Sequence, residues 1–597
     1  MEGYTIQKEA LRILHDVLLK DERLDIPEDV KRIAASRVVF DESAIQTPLL
    51  PAPVKCTESS TALWGLLAAF GASIAEKRYG VAAVGQQKAV VNSDVATLFL
   101  FSFLLLRVGG RPTNVPSVVR RYSIYDTKRQ MVPWRRLATT VYPTRDGRFF
   151  HLHGGMNSDK SLRMLSLPPQ NEDLKDELEI INRISREVEK HDAEWLDVEA
   201  NEHWRQAGGI CLTPQEFRDS EQGRAIARTG LYTIEASSTD VLPPVPWPET
   251  KSTTKHVGAF RPLEGIKLVD LTRAIAGPTI ARLAALLGAT VVRVSNMDLP
   301  DLGIVLFESN LGKRDAHADL RTEEGRQALL SLIEDADIVL DGYRPGAMER
   351  LGFGPTFVHA LARRRGRGIV YARENCHGWS GPWSHRSGWQ QISDAVTGVA
   401  WLFGRMWGVD EPIMPFLPNS DFQTGIVGCI AILHALTRRA EHGGNYLVST
   451  SLNQLNCFLI GLGEQSPEAQ QAFRERWPGM KFRHYDDLHR QMPVVSHLKL
   501  CWEREKEKRK KKRKKEKRLE HHANQRPSQL LATLPKLYPQ LLNPKYFVTL
   551  QAELGVPDEE MTFVGPPITY EKTKLYYSRG SCMRGTDTLE WPEEGQW

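Results

Sequence analysis

The chain has 597 residues, 41% of them apolar and 25% charged, the balance of an ordinary globular protein, which excludes a collagenous, fibrous or wholly disordered chain. The formal charge of +5 is misleading: residues 504–518 hold twelve basic and three acidic side chains, a net +9, and the rest of the chain stands at −4. That remainder implies no general nucleic-acid surface, and the run itself reads as a solvated insertion ahead of a nuclear-import signal or nucleic-acid tail.

Residues 5–40 are predicted helical, with Leu11, Ile13, Leu14, Val17 and Leu18 at helical spacing, and 45–60 reads as a Pro-punctuated linker. The first 25 residues are acidic and amphipathic, so neither a secretory signal nor a transit peptide is expected, and the final GQW is no peroxisomal tripeptide. Residues 61–108 predict two helices separated by 80–88. The longest apolar stretch, 95–108, is broken by Thr97, Ser102 and Arg107, well short of the roughly 20 apolar residues of a membrane span. A hairpin is expected at 140–154, turning on Asp146-Gly147, with helices over about 173–204. Five prolines mark 238–263 as a linker.

From residue 265 the pattern alternates strand and helix. Strands are expected at 267–270, 291–294, 338–340 and 369–371, with helices at 279–287 and 322–333, and repeats of this length predict a parallel, doubly wound α/β sheet. The first strand–helix loop lacks G-x-G-x-x-G, so nothing supports a nicotinamide or flavin site. Seven cysteines at 56, 211, 376, 429, 457, 501 and 582, with no C-x-x-C pair, support neither a disulfide framework nor a zinc site. No metal is expected. They fit a reducing compartment: the cytoplasm, with mitochondrion and peroxisome as alternatives.

Asn92-Ser93-Asp94 and Asn419-Ser420-Asp421 each lead into an apolar helix, an echo that reads as a degenerate internal duplication. Asp94 is then a vestige or a second site. Asp421 is expected as the N-cap of a helix over 422–437. One reading is a structural cap. The other is a nucleophile kept ionised by the helix dipole and free N–H groups. Past the strand at 338–340, 341–346 and 349–352 place Arg344 and Arg350 to meet phosphates or to pair with Glu349. The basic stretch 310–314 is a phosphate contact or a surface loop. The segments 378–382 and 388–390 are pocket walls or ordinary turns holding Trp379 and Trp389.

Five blocks in order carry a resemblance: PLEGIKLVDLTRAIAGP (262–278), LAALLGATVVRV (283–294), NLGKRDAHADLRTEEGR (310–326), DADIVLDGYRPGAMERLGFG (335–354) and PNSDFQTG (418–425). Together they resemble the family III CoA-transferases, the superfamily of formyl-CoA transferase, L-carnitine CoA-transferase and alpha-methylacyl-CoA racemase. The likeness covers about 260–455. YPTRDGRFFHL (142–152) and ICLTPQEFRDSEQGRAIAR (210–228) resemble the family's smaller domain, and 61–108 matches only loosely.

The resemblance implies a Rossmann-like large domain with a smaller α+β domain, in an interlocked dimer that a tandem chain would imitate as an intrachain pseudo-dimer; a homodimer is the alternative. The expected units are 1–110 (degenerate partial large domain), 140–237 (small domain), 238–262 (linker), 263–460 (large domain) and 461–597 (divergent, with the run at 504–518). The implied reaction passes CoA between carboxylic acids through an aspartyl anhydride and an aspartyl-CoA thioester on Asp421. The implied partners are an acyl-CoA and an acceptor acid, with neither nucleic acid nor membrane. Coenzyme A would be held by Arg273, Ala276, Lys313, Tyr343, Arg344 and Arg350. The chain departs from the family pattern at Ser295, Asn296 and Trp389 and lacks a glycine run to shield an intermediate. Trp389 and Gln390 offer neither the His nor the Asp of the racemases, which argues against racemisation, an activity that needs two acid–base groups. A silent CoA-binding homologue is the other alternative.

Overall fold

The computed structural model describes residues 3–171, 173–237, 241–249, 260–476, 482–487 and 539–593; the basic run at 504–518 and thirteen residues of the linker, 238–240 and 250–259, lie outside them. Its largest sheet has seven strands: β1 (Tyr232–Ala236), β2 (Lys267–Leu271), β3 (Thr290–Ser295), β4 (Lys313–His317), β5 (Ile338–Asp341), β6 (Val370–Asn375) and β7 (Tyr446–Ser451). Their order is β4-β3-β2-β5-β6-β7-β1. Six are parallel, and β1, from the stretch read as the small domain, adds antiparallel to β7. The β2–β5 pair is where the winding reverses, so the crevice outside their carboxyl ends is where such a sheet binds ligands. The strands expected from 267, 291, 338 and 369 are all present, because Leu268-Val269, Val291-Val292 and Ile338-Val339-Leu340 are apolar on both faces and buried on both.

The helices that position the site are α1 (Cys56–Tyr79), α2 (Ser93–Phe99), α3 (Ala276–Leu286), α4 (Gln390–Thr397), α5 (Asn419–His442) and α6 (Leu452–Gly461). α5 packs against α3 and α1, which explains why it is buried over most of its length. Gly425 and Gly428 let it approach: a Cβ on Gly425 would collide with the Thr279 side chain, and one on Gly428 with Ile280. Gly425→Ala is therefore expected to destabilise the fold by about 1–3 kcal/mol, read from urea unfolding, because neither helix has room to yield.

Two helix expectations change. Residues 5–40 hold Ile6–Arg12, a π-helical turn Ile13–Leu18, Glu28–Arg37 and a strand Val38–Phe40, broken where Asp25 turns left-handed (φ 46°) before Pro27. α5 starts at Asn419 and not at 422, since Pro418 enters with φ −78° and the helix follows at once. The hairpin forms as expected, Thr140–Pro143 against Phe149–Leu152, with Gly147 at φ 75°; Gly208–Ile210 adds a third strand.

The N-terminal stretch and the chain end fold together. Val38–Phe40 pairs with Ala89–Val91, which pairs in turn with Ile568–Tyr570. The hairpin of Phe547–Ala552 and Glu559–Val564 lies on Arg107–Val108. Beyond it, Cys582, Gly585 and Asp587 reach β4: the backbone N–H of Asp315 donates to Asp587 Oδ2 at 2.9 Å.

Candidate active site

The loop leaving β2 runs over Arg273, Ala274 and Ile275 into α3. Ala274 has φ 70°, a left-handed backbone rare for a side-chain-bearing residue and one that clusters at functional sites. The loop leaving β5 is held beside it. The Tyr343 N–H and the Tyr371 hydroxyl donate to Asp341 at 2.9 and 3.1 Å, and Gly346 (φ 78°) turns the chain into Ala347–Arg350. Between the loops lies a cleft of about 330 Å³. Arg273, Ala276, Tyr343 and Arg344 line it, with Glu374, Asn375 and Cys376 from the end of β6, Trp389 from the loop before α4, and Asp421 from α5. Met156, Asn157, Lys160 and Gln206 close its other side.

Asp421 is the third residue of α5, partly buried, with neither hydrogen bond nor ion pair among the described residues. It is therefore not the cap the sequence suggested. Nor does the dipole hold its acidity: burial, then Glu374 and Asp394, pushes the Asp421 carboxyl well above the usual carboxylate range. Desolvation and like charge outweigh the first-turn amides. Glu374, 9% exposed, is pushed up to about 8 by burial and then by Asp341. Asp394 is pushed up to about 7 by burial, even though Asn456 and Gln390 donate to it at 2.9 and 2.7 Å.

Trp389 is fixed on both sides. It stacks on His153, ring centroids 5.3 Å apart and planes at 7°, and its carbonyl accepts from the Cys376 thiol at 3.4 Å. Burial lowers the His153 imidazole to about 4, so it meets Trp389 as a neutral ring. The stretch around 388–390 is thus a wall of the cleft.

The expected CoA residues separate. Arg273 lines the cleft, its Nη2 donating to the Pro300 carbonyl and Met156 Sδ. Arg344 is exposed at the rim, donating to the Arg205 carbonyl at 3.1 Å. Arg350 is exposed outside the lining, at the end of its helical turn. Lys313 is corrected. It is fully buried on β4, donating to Asp270 Oδ2 at 2.7 Å and the Pro278 carbonyl at 2.9 Å, and it does not face the cleft. The neighbouring Asn310 is buried too, donating to Asp315, so 310–314 is neither phosphate contact nor surface loop. Asp94 is 1% exposed and accepts from the Ile45 N–H at 2.9 Å and the Tyr546 hydroxyl at 3.1 Å, a structural place at the start of α2 and not a second cleft.

Sequence reasoning missed Glu374, Cys376 and Asp394. The first two had a signal, polar side chains at the carboxyl end of a predicted strand. Met156, Asn157, Lys160 and Gln206 had none, since only packing brings them to a loop more than 60 residues onward. Among the described residues, no group of three acidic, His or Cys side chains is placed to hold a metal, and no helix is long and apolar enough to cross a membrane.

The sequence profile described as CoA-transferase family III matches residues 263–476, which hold the sheet crevice and Asp421. An acetyl-coenzyme A transferase of Hypoxylon pulicicidum is 39% identical over 82% of this chain and 83% of its own length. The chain belongs to CoA-transferase family III. An acyl-CoA transferase of Gibberella moniliformis is 33% identical over 68% of this family III enzyme and 71% of its own length. A formyl-CoA:oxalate CoA-transferase of Escherichia coli is 26% identical over 36% of this chain and 54% of its own.

Proposed function

We propose that this transferase moves CoA from an acyl-CoA to an acceptor carboxylic acid through covalent intermediates on Asp421. The observation that carries the reading is an unpartnered carboxyl in a cleft at the sheet's reversal point, opposite the Arg273–Ala276 and Gly342–Arg344 loops. An Asp421 oxygen bonds the acyl carbon, the carbon–sulfur bond breaks, and CoA leaves with the bonding pair on sulfur, giving an aspartyl anhydride. Sulfur then bonds the Asp421 carbonyl carbon and the donor acid departs. The acceptor repeats the sequence in reverse. Arg273, Arg344 and, further out, Arg350 supply charge for the CoA phosphates, with Lys160 joining from the opposite wall. The neutral His153–Trp389 stack shields the intermediate from water where the family uses glycines.

Trapping tests the reading. Native protein incubated with acyl-CoA and hydroxylamine is expected to yield a hydroxamate at Asp421 by peptide mass spectrometry. CoA binding without any adduct would instead identify a silent CoA-binding protein. The attacking form is the carboxylate, so kcat/KM is expected to rise with pH through an apparent pKa above the ordinary carboxylate value of 3.8, the direction set by burial, Glu374 and Asp394. A pH–rate profile whose acidic limb lies below 4 would contradict this.

A further inference from the structure

Glu374 is the next-to-last residue of β6, nine-tenths buried, and it lines the same cleft as Asp421. Its neighbour Arg373 donates to Ser449 and stacks 3.9 Å from the centre of the Trp379 ring, away from the cleft lining, as strand alternation requires. Glu374 itself has neither hydrogen bond nor ion pair among the described residues. A buried carboxyl with no partner is costly, and a wall position with only a packing role would be filled by an apolar side chain. The groups around it account for its state. Burial and then Asp341 at the end of β5 disfavour its charge, Glu374 in turn disfavours the charge of Asp421 on α5, and the Cys376 thiol, raised by burial and by Glu374, Asp394 and Asp421, stays neutral. None of the cations lining the cleft bonds Glu374 among the described residues: Arg386 pairs with Asp197 and Glu202, while Arg344, Arg273 and Lys160 donate to the Arg205, Pro300 and Trp204 carbonyls.

We infer that Glu374 is the proton carrier for the CoA sulfur, a role that rests on the transferase reading of Asp421. When Asp421 oxygen bonds the acyl carbon and the carbon–sulfur bond breaks, sulfur leaves with the bonding pair and takes the proton of the Glu374 carboxyl. CoA waits as a thiol beside a Glu374 carboxylate. In the next step Glu374 takes that proton back as sulfur bonds the Asp421 carbonyl carbon, and the anhydride's carbon–oxygen bond breaks to release the donor carboxylate. No proton is gained or lost over the cycle. Glu374 and Asp421 titrate as a coupled pair; with one proton between them, the form that reacts is the one in which Asp421 is ionised to attack and Glu374 holds the proton to donate.

The test is isotope exchange of a labelled acid into its own acyl-CoA, which needs no knowledge of the natural acceptor, run from acetyl-CoA to decanoyl-CoA on the full-length chain. Glu374→Gln is expected to lower kcat for exchange by about 10²-fold with KM near the native value, the size of one acid–base contribution. Native kcat is expected to fall as pH rises past about 8, where Glu374 loses its proton. E374Q should lack that alkaline limb, and Glu374→Asp should restore part of the rate with the limb shifted. Should circular dichroism show E374Q unfolded, E374D carries the test through its alkaline limb. Exchange by the native protein that is lost in Asp421→Ala but keeps its native rate and pH profile in the Glu374 variants overturns the proton-carrier role alone. Absence of exchange by the native protein across the panel overturns the transferase reading and this role with it.

Discussion

Asp421→Asn is expected to abolish CoA exchange, by about 10⁴-fold or more, while raising the thermal midpoint at neutral pH. The rate loss follows from removing the carboxylate proposed to form the anhydride, since loss of a covalent nucleophile costs on that order. The stability gain follows from linkage. Burial, Glu374 and Asp394 raise the folded-state pKa of Asp421 above its unfolded value. The favourable contribution of a raised carboxyl is fully present below the unfolded pKa, about 3.8, and is lost as pH rises through the folded one. At pH 7 the native protein therefore bears the strain of this acid, and an uncharged amide of the same shape does not. A cap would behave in the opposite way, losing stability on substitution. Exchange assays with calorimetry on D421N decide the matter: a lower midpoint with residual activity would return Asp421 to a structural role.

Arg293→Met is expected to destabilise the fold by about 3–5 kcal/mol, because it removes one side of a buried ion triplet and leaves two carboxylates without it. Arg293, 2% exposed on β3, holds Asp315 at 2.6 Å and Asp301 at 2.7 Å. Burial alone would raise the Asp301 carboxyl, but Arg293, Arg273 and Arg584 hold it below the usual range. Its contribution to stability is accordingly present above the unfolded carboxylate pKa and lost as pH falls through the folded one. For a domain of this size the midpoint should drop by roughly 10 °C, read by urea or thermal unfolding. The triplet also steadies Pro300, the residue before Asp301 and the acceptor for Arg273 in the cleft, so exchange activity should fall with it. Native-like unfolding of R293M would contradict the argument.

The same triplet shows what was legible beforehand. Leu268-Val269, Val291-Val292 and Ile338–Leu340 announce parallel strands by being apolar on both faces, and they are central in the sheet. Asp421 stood out because a turn and an apolar helix bracket it. Lys313 misled, because a lysine flanked by Gly312 and Arg314 reads as a basic surface loop. Asp270, which makes it an interior cation, lies 43 residues earlier on the adjacent-but-one strand. The protonation of Asp421 was misjudged for a related reason. The dipole is a local property visible in the order of residues, whereas desolvation and the approach of Glu374 depend on three separate elements converging.

By itself, the sequence determined the strand–helix alternation from residue 265, the hairpin near 147 and the order of the loops that carry chemistry. These follow from hydrophobic periodicity and turn residues, which act over a few positions. Only the tertiary structure decided that Glu374 faces Asp421's cleft, that Met156 to Gln206 close it, that Asp94 is sealed by Tyr546 and that Lys313 is buried. Burial and charge proximity are set by contacts between distant segments, and no local pattern encodes them.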